Sequence, residues 1–281
     1  MVCMSMMACE DPIDIALDEG RSQLVVDAFI SSDMSLQSIR LTNSANFFLN
    51  SAVPAVNSAI VNVEGPNSIV YNFVNDKQGN YIYDPSTKGA LDSIGFKYRL
   101  QISYNGEQYQ SFSMLNPVPK IDSMTYAFEL EELDSKEGYY TQFYATDFGG
   151  RKDYYRIKAF RNGEPLYPEN PEFINLSEDA AFGGEGADGL LFIFPIRAAI
   201  TDEGNPFLAG ETSSVELWSL NRDAYSFLQQ MITQANNDGL FSVPAANIRS
   251  NIVDISGSTQ EEVLGIFSVS SVSRNSIIIN P

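Results

Sequence analysis

Histidine is absent from the 281 residues of this chain. Without an imidazole, the chain lacks the general base of Ser-His-Asp and Cys-His catalysis and a common ligand of zinc, copper and iron. Carboxylate chemistry stays open, which leaves cleavage of glycosidic bonds by paired acids and calcium sites built from oxygen ligands. Since no pair of acids stands out, we predict no catalytic residue, no metal and no cofactor.

Cysteine is scarce, and both copies, Cys3 and Cys9, precede the first strand-like segment. The folded part therefore has no disulfide and depends on its apolar core for stability. Hydrophobic residues make up 44% of the chain, which is ample for such a core at this length.

Basic residues are also few, because 17 Lys and Arg stand against 36 Asp and Glu, a formal net charge of −19. A field of this sign repels nucleic acid and disfavours docking on anionic lipid. We predict a solvated acidic surface and no nucleic-acid partner. Long apolar runs are missing too, since the longest candidate, 190–194, has only the length of a strand and ends at Pro195.

Short alternating segments dominate what is present. The clearest extends from Gly95 to Tyr104, where an apolar side chain stands at every second position, as in a half-buried strand. Asn105-Gly106 follows and predicts a two-residue hairpin, because both residue types tolerate positive φ. The predicted strands are 23–30, 37–42, 59–64, 69–74, 81–83, 95–104, 108–114, 121–131, 139–146, 154–160, 190–200, 214–220, 263–270 and 276–279.

The segment 116–119, Asn-Pro-Val-Pro, interrupts this pattern, because two prolines fix φ and remove amide donors. We predict an all-β protein in which this linker joins two β-sandwich domains, the first at 22–115 and the second at 120–281. Residues 57–83 resemble the edge of an immunoglobulin-like carboxypeptidase-regulatory module, so the first domain is expected to be immunoglobulin-like. Residues 10–21 are interpreted as an acidic tether.

One helix is predicted in the second domain, at about 221–237. Asn221 suits the N-cap, Asp223 lies in the first turn, and Gly239 is a plausible stop signal. Its apolar stripe recurs with helical spacing, and we interpret that stripe as core packing rather than as a groove for a partner.

A long irregular excursion is predicted at residues 162–189, which are rich in Pro, Gly, Asn and acids and begin with a second Asn-Gly turn. Loops of this length on a rigid sheet are where binding residues concentrate. We predict ligand or partner contact at Tyr167, Phe173 and Phe182. An acidic insertion without a role is the alternative.

Three further patterns copy known signatures without their context. Residues 184–189 match G-x-G-x-x-G, but acids precede the match and a strand-like run follows it, so a flexible loop is favoured. Residues 147–149 copy the kinase tripeptide Asp-Phe-Gly and are interpreted as a turn. Carboxylates crowd 178–188 and 202–203, but their spacing matches no EF-hand, so a solvated loop is favoured over a calcium site.

The N-terminus carries a lipobox-like sequence, Met6-Met7-Ala8-Cys9, followed by two acids. An apolar segment, a small residue and a cysteine are typical of a bacterial lipoprotein signal peptide. Because a basic region and a full-length apolar region are missing, we interpret residues 1–9 as a truncated signal segment that ends in a lipidated Cys9. Two acyl chains would hold the protein stably at a membrane. The alternative is an ordinary tail with a free cysteine.

Several segments together form a recognisable set: 8–15, 23–30, 117–123, 216–220, 225–235, 239–241, 244–248, 264–267 and 270–274. This set resembles the Bacteroidota outer-membrane lipoprotein family catalogued as domain of unknown function 4249 (DUF4249), over nearly the whole chain. The resemblance implies proteins encoded beside TonB-dependent receptors of the SusC type. It implies no catalytic or ligand residues.

The expected function is therefore that of an accessory lipoprotein of a TonB-dependent nutrient-uptake system. It would bind a ligand or partner at the outer membrane, on the cell-surface or the periplasmic face, with the receptor as its partner. A carboxylate-dependent, glycosidase-like hydrolase and a structural or adhesive envelope protein stay open as alternatives, and our expectation is that the protein is not an enzyme.

Overall fold

The computed structural model describes residues 22–44, 53–133, 135–167, 170–179, 200–237, 247–257 and 263–281. Within these ranges the chain is mostly β, which confirms the predicted all-β class. The strands in chain order are β1 Leu24–Ser31, β2 Gln37–Asn43, β3 Ile60–Glu64, β4 Val70–Asn75, β5 Asn80–Tyr83, β6 Lys97–Tyr104, β7 Glu107–Met114, β8 Ile121–Glu129, β9 Gly138–Ala145, β10 Tyr154–Arg161, β11 Glu164–Pro165, β12 Asn175–Glu178, β13 Thr212–Leu220, β14 Val253–Asp254, β15 Leu264–Ser270 and β16 Val272–Ile278. The helix α1 is Arg222–Ala235.

Within the described ranges, the first sheet has nine strands in the order β14-β7-β6-β3-β4-β5-β2-β1-β15. Its neighbours are antiparallel except β1 and β15, which run parallel. β6 and β7 form the predicted hairpin, with Asn105 at φ 50° and Gly106 at φ 84°. Eight of these strands, all except β14, contribute to one apolar core, so the sheet curls around its own inner face.

The second sheet has the order β11-β10-β13-β16, and β12 also pairs with β10. The strands β8 and β9 form a separate two-stranded ribbon. Tyr155 and Ile157 of β10 and Leu217 of β13 pack with Phe143 of β9 in a second core. Because side chains alternate along a strand, the residues between them, Arg156 among them, lie on the opposite face of the sheet.

The helix α1 begins where predicted, with the Asn221 side chain accepting a hydrogen bond from the Ala224 amide at 2.8 Å. Its apolar stripe packs into a third core with Leu220 of β13 and Ile266 of β15, as the core-packing interpretation predicts. The helix thus contacts both sheets. No described helix is long and apolar enough to cross a bilayer.

The prediction of an irregular excursion at residues 162–189 is wrong at two places. Residues 164–165 and 175–178 form β11 and β12, both antiparallel to β10. The second strand was missed because its two buried side chains, Asn175 and Ser177, are polar, so the usual apolar alternation is hidden. Residues 180–189 of the excursion, most of the predicted strand 190–200 and the stop signal Gly239 lie outside the described residues.

The division of the chain at 116–119 stays a prediction about folding units. In the structure, β14 and β15 follow this linker in sequence, yet both belong to the first sheet. The linker itself is tied to the second sheet, since the Asn116 side chain donates to the Leu220 carbonyl at 2.9 Å. Residues 1–21, with Cys9 and the acidic tether, lie outside the described part of the chain.

Candidate functional site

Two of the three predicted contact residues, Tyr167 and Phe173, stack on each other. Their ring centroids lie 4.4 Å apart, with 14° between the ring planes. Phe173 is 46% exposed. Tyr167 is partly buried, and its hydroxyl donates to the Thr201 carbonyl at 3.4 Å. Phe182, the third predicted residue, lies outside the described residues.

The stacked pair is held in place by structure on its C-terminal side. Phe173 ends a single 3-10 turn, Pro171–Phe173, which is capped by Asn170 accepting a hydrogen bond from the Glu172 amide at 3.1 Å. The strand β12 starts two residues later and is fixed to β10. The pair therefore presents a flat, partly solvent-facing aromatic surface beside the second sheet.

Burial and the nearby acids Asp202 and Glu203 both raise the pKa of Tyr167. The hydroxyl therefore stays protonated at neutral pH, as a hydrogen-bond donor.

A groove of about 780 Å³ begins next to this pair, between β12 and α1. Ile174 and Leu176 line one side, and Tyr225, Gln229 and Ile232 of the helix line the other. The lining combines apolar side chains with the amide side chains of Asn175, Gln229 and Gln230, which is the mixture found in ligand sites.

A second cluster lies on the opposite face of β10, where Arg156 and Lys158 project beside aromatic rings. The Lys158 Nζ lies 3.6 Å from the ring centroid of Trp218 on the neighbouring strand β13. The Arg156 guanidinium carbon lies 5.8 Å from the ring centroid of Phe29 on β1. Both cations are partly buried. A strand of the first sheet and two strands of the second thus meet at this cation cluster, Arg156 and Lys158.

The acids around the cation cluster are already engaged. Glu216 accepts from Trp218 Nε1 at 2.7 Å through one oxygen and from Arg274 Nε at 2.6 Å through the other. Arg274 also forms an ion pair with Asp33. Among the described residues, none forms a hydrogen bond or an ion pair with the Lys158 ammonium, so its contact is the tryptophan ring.

Burial, followed by repulsion from Arg156, lowers the pKa of the Lys158 ammonium to about 7, against the attraction of Glu216 and Asp27. Burial also lowers the pKa of Arg156, while Asp27 on β1 acts in the opposite direction. The cluster therefore holds positive charge that its surroundings solvate poorly.

Sequence reasoning missed the cation cluster. Its only local signal is Arg156 and Lys158 at alternate positions of a predicted strand in a chain with few bases. The rings of Phe29 and Trp218 are far away in sequence, and only the fold brings them together.

Those acids singled out in the sequence that the structure describes do not gather into one site. Glu178 forms an ion pair with Lys152, and Asp179 accepts from the Asp153 amide at 2.6 Å. Asp202 accepts from the amide of the turn residue Gly204 at 2.9 Å. Within the part of the chain that the structure covers, no group of three or more Cys, Asp or Glu is arranged to hold a metal ion. The remaining acids of the 180–188 segment lie outside it.

A comparison with curated proteins finds no match to this chain. The model of one protein family, described as a domain of unknown function, DUF4249, matches residues 10–276. Since that match covers nearly the whole sequence, the chain belongs to the DUF4249 family.

Proposed function

We propose that this protein is an outer-membrane lipoprotein, anchored through Cys9, that binds a ligand or partner for a TonB-dependent nutrient-uptake system. The observation that carries the binding role is the Tyr167–Phe173 stack beside the groove at α1. The partner, a TonB-dependent receptor of the SusC type, is what the family resemblance implies for this chain.

A partly exposed aromatic pair on a fixed support suits binding for two physical reasons. Aromatic side chains supply large contact area at a low cost in conformational entropy, which is why they are enriched among the residues that dominate interface energies. The support is rigid on the side of β12, so little ordering is needed when a partner arrives. The groove of about 780 Å³ extends the surface with both apolar and amide groups.

The anchoring part of the proposal is tested by replacing Cys9 in the full-length native gene. Cys9→Ser should release the protein from the outer-membrane fraction, because the acylated thiol is lost. Cys3→Ser is the matched control and should leave the distribution unchanged. Retention of the Cys9→Ser protein in the outer membrane would show that the anchor is elsewhere.

The binding part is tested by pull-down of the transporter from cells that carry single-residue variants. Phe173→Ala and Tyr167→Ala should each reduce the recovered receptor about tenfold, the effect of losing about 1.4 kcal/mol at an interface. Phe128→Ala, which removes another ring that is 54% exposed, should have no effect.

Equal recovery with all three variants contradicts this contact surface. Turnover of a glycan or peptide library by the purified protein contradicts the binding role and favours the hydrolase instead. Thermal midpoints of the variants, measured in parallel, show whether each protein is folded.

A further inference from the structure

We propose that the cation cluster, Arg156 and Lys158, is a binding site for a small oxyanion: the carboxylate or phosphate group of an organic solute. The site is separate from the Tyr167–Phe173 surface, so this proposal does not depend on the proposed function. Four observations support it: the placement of the two cations, the engagement of the nearby acids, the cost of leaving the cations unpaired, and the charge of the chain.

The placement fixes two cations side by side on one rigid strand. Arg156 and Lys158 are two positions apart on β10, so both side chains leave the same face of the sheet. In the register of β10 and β13, Arg156 stands opposite Trp218 and Lys158 opposite Glu216. Each cation lies over an aromatic face, which holds the charged group in position without using its N–H donors.

The nearby acids leave those donors available. Glu216 is directly opposite Lys158, but its two oxygens accept hydrogen bonds from Trp218 and Arg274 and none from Lys158. Asp33 is taken by Arg274. Asp27, on the facing strand β1, attracts both cations. No hydrogen bond to either cation is formed by any residue that the structure describes, although an ammonium has three N–H donors and a guanidinium five.

A partly buried cation without a hydrogen-bond acceptor is costly, because the protein replaces only part of its hydration. An oxyanion would supply that acceptor. Arginine offers two parallel N–H donors that match the two oxygens of a carboxylate or phosphate, and lysine adds a point charge beside them. Hydrogen bonds of this charged kind are about twice as strong as neutral ones.

The charge of the whole chain limits the size of the ligand. With a formal net charge of −19, the protein repels large polyanions at long range. A small solute with one or two negative charges is repelled much less, and it still interacts with both cations of the cluster. The inferred ligand is therefore a small acid and not a nucleic acid.

Trp218 provides a built-in reporter, because it is the only tryptophan in the chain. The intact purified protein is titrated with sodium phosphate and with sodium succinate while tryptophan fluorescence is recorded. Sodium chloride at matched ionic strength is the control for screening. We expect a saturable change with at least one oxyanion and none with chloride, and the oxyanion that works identifies a phosphate-bearing or a carboxylate-bearing ligand.

Charge-removing variants locate the site. Lys158→Gln and Arg156→Gln should each weaken oxyanion binding about tenfold or more. Lys97→Gln is the matched control, since Lys97 also lies over a ring, with Nζ 4.6 Å from the Phe112 centroid, but it is exposed on the first sheet. The control should bind as the unaltered protein does.

Binding should also take up protons near pH 8, because an anion beside Lys158 raises a pKa that starts at about 7. The other charged groups that face this ammonium are Arg156, Asp27, Glu216 and Arg274. Calorimetric titration in two buffers of different ionisation enthalpy measures that uptake, and Lys158→Gln should abolish it.

The proposal would be overturned by no saturable response to either oxyanion, by the same response to chloride, or by equal affinity in Lys158→Gln and Lys97→Gln. Calorimetric binding without any change at Trp218 would place the anion elsewhere and would also overturn it. A negative receptor pull-down with Phe173→Ala concerns only the other surface.

Discussion

The strands β6 and β10 show how the two sheets differ. β6 alternates buried apolar side chains with Arg99, which forms an ion pair with Glu64 on the same face of the first sheet. β10 shows the same alternation, but Arg156 and Lys158 meet aromatic rings, with Trp218 beneath the lysine. Alternation thus determines which face of a strand is buried. The residues that contact the polar face from other strands decide whether that face is ordinary surface or a binding site.

The two sheets also differ in how they are completed. In the first sheet, the strands β1 to β7 lie between two strands from the far end of the chain: β14 pairs antiparallel with β7, and β15 pairs in parallel with β1. In the second sheet, β10 and β13 are antiparallel and their neighbours are antiparallel too. The helix α1 contacts both. Three variants, each paired with a comparison variant, test this contrast from the largest expected effect to the smallest.

Gly265→Ala should be the most damaging change. A Cβ at this position would lie 1.8 Å from the Val26 carbonyl oxygen, and the backbone φ of 101° is itself unfavourable for any L side chain. Because the obstructing atoms belong to the backbone of β1, the parallel pair of β1 and β15 cannot form without a shift of the backbone. We expect a loss of more than about 4 kcal/mol in the free energy of unfolding, or no folded protein.

Gly163→Ala is the control in the second sheet, at φ 89° in the hairpin turn with nothing within 4 Å of the added Cβ. It should cost about 1–2 kcal/mol, the strain of a left-handed residue alone. Urea denaturation measures both variants. Equal losses would show that the parallel pair is not the sensitive point of the first sheet.

Asn221→Ala should reduce the free energy of unfolding by a smaller amount, through lost contacts to both the helix α1 and the first sheet. The side chain caps α1 through the Ala224 amide, and its Nδ2 donates to the Ser113 Oγ of β7 at 2.8 Å. We expect a loss of about 1–2 kcal/mol on urea denaturation. Asn221→Asp keeps the capping acceptor and removes the donor, so it should recover part of this loss. Full recovery would mean that the bond to the first sheet contributes nothing.

Asp147→Asn should change mainly the pH dependence of stability. Asp147 is 5% exposed; one of its oxygens accepts from the Tyr155 hydroxyl at 2.6 Å, and the other has no partner among the described residues. Burial raises the pKa of Asp147. The folded protein therefore keeps this proton to higher pH than the unfolded chain does, and the free energy of unfolding falls as pH rises from about 4 through the raised pKa.

In the Asp147→Asn variant, this decrease in the free energy of unfolding with rising pH should be absent. The stability of the variant relative to the unaltered protein should therefore improve as pH rises. Asp76, in the turn between β4 and β5 of the first sheet, has the opposite sign, because hydrogen bonds from Asn80 lower its pKa, and its contribution to stability is lost as pH falls. Asp76→Asn is thus the control. Urea midpoints between pH 3 and pH 8 measure both slopes, and parallel curves for Asp147→Asn and the unaltered protein would contradict the assignment.

Local signals were enough to predict the positions of most strands and of the helix. The Asn105-Gly106 turn, the Asn221 cap and the alternation in β6 each depend on neighbours in sequence, and each is present in the structure. Long-range pairing was not predictable. No local pattern indicates that β15 lies beside β1, or that Trp218 lies under Lys158. Of the candidate site, the aromatic residues of the excursion were predicted, whereas the cation cluster depends on contacts between distant strands.

The parallel pairing of β1 with β15 has a consequence for the order of folding. A chain is synthesised from its N-terminus, and Val25 emerges about 240 residues before its partner Leu264. Until then, one edge of β1 offers unpaired amides and carbonyls, the kind of open edge that recruits other chains. Premature termination anywhere before residue 264 would thus leave this edge of β1 unpaired, because β15 is the strand that covers it.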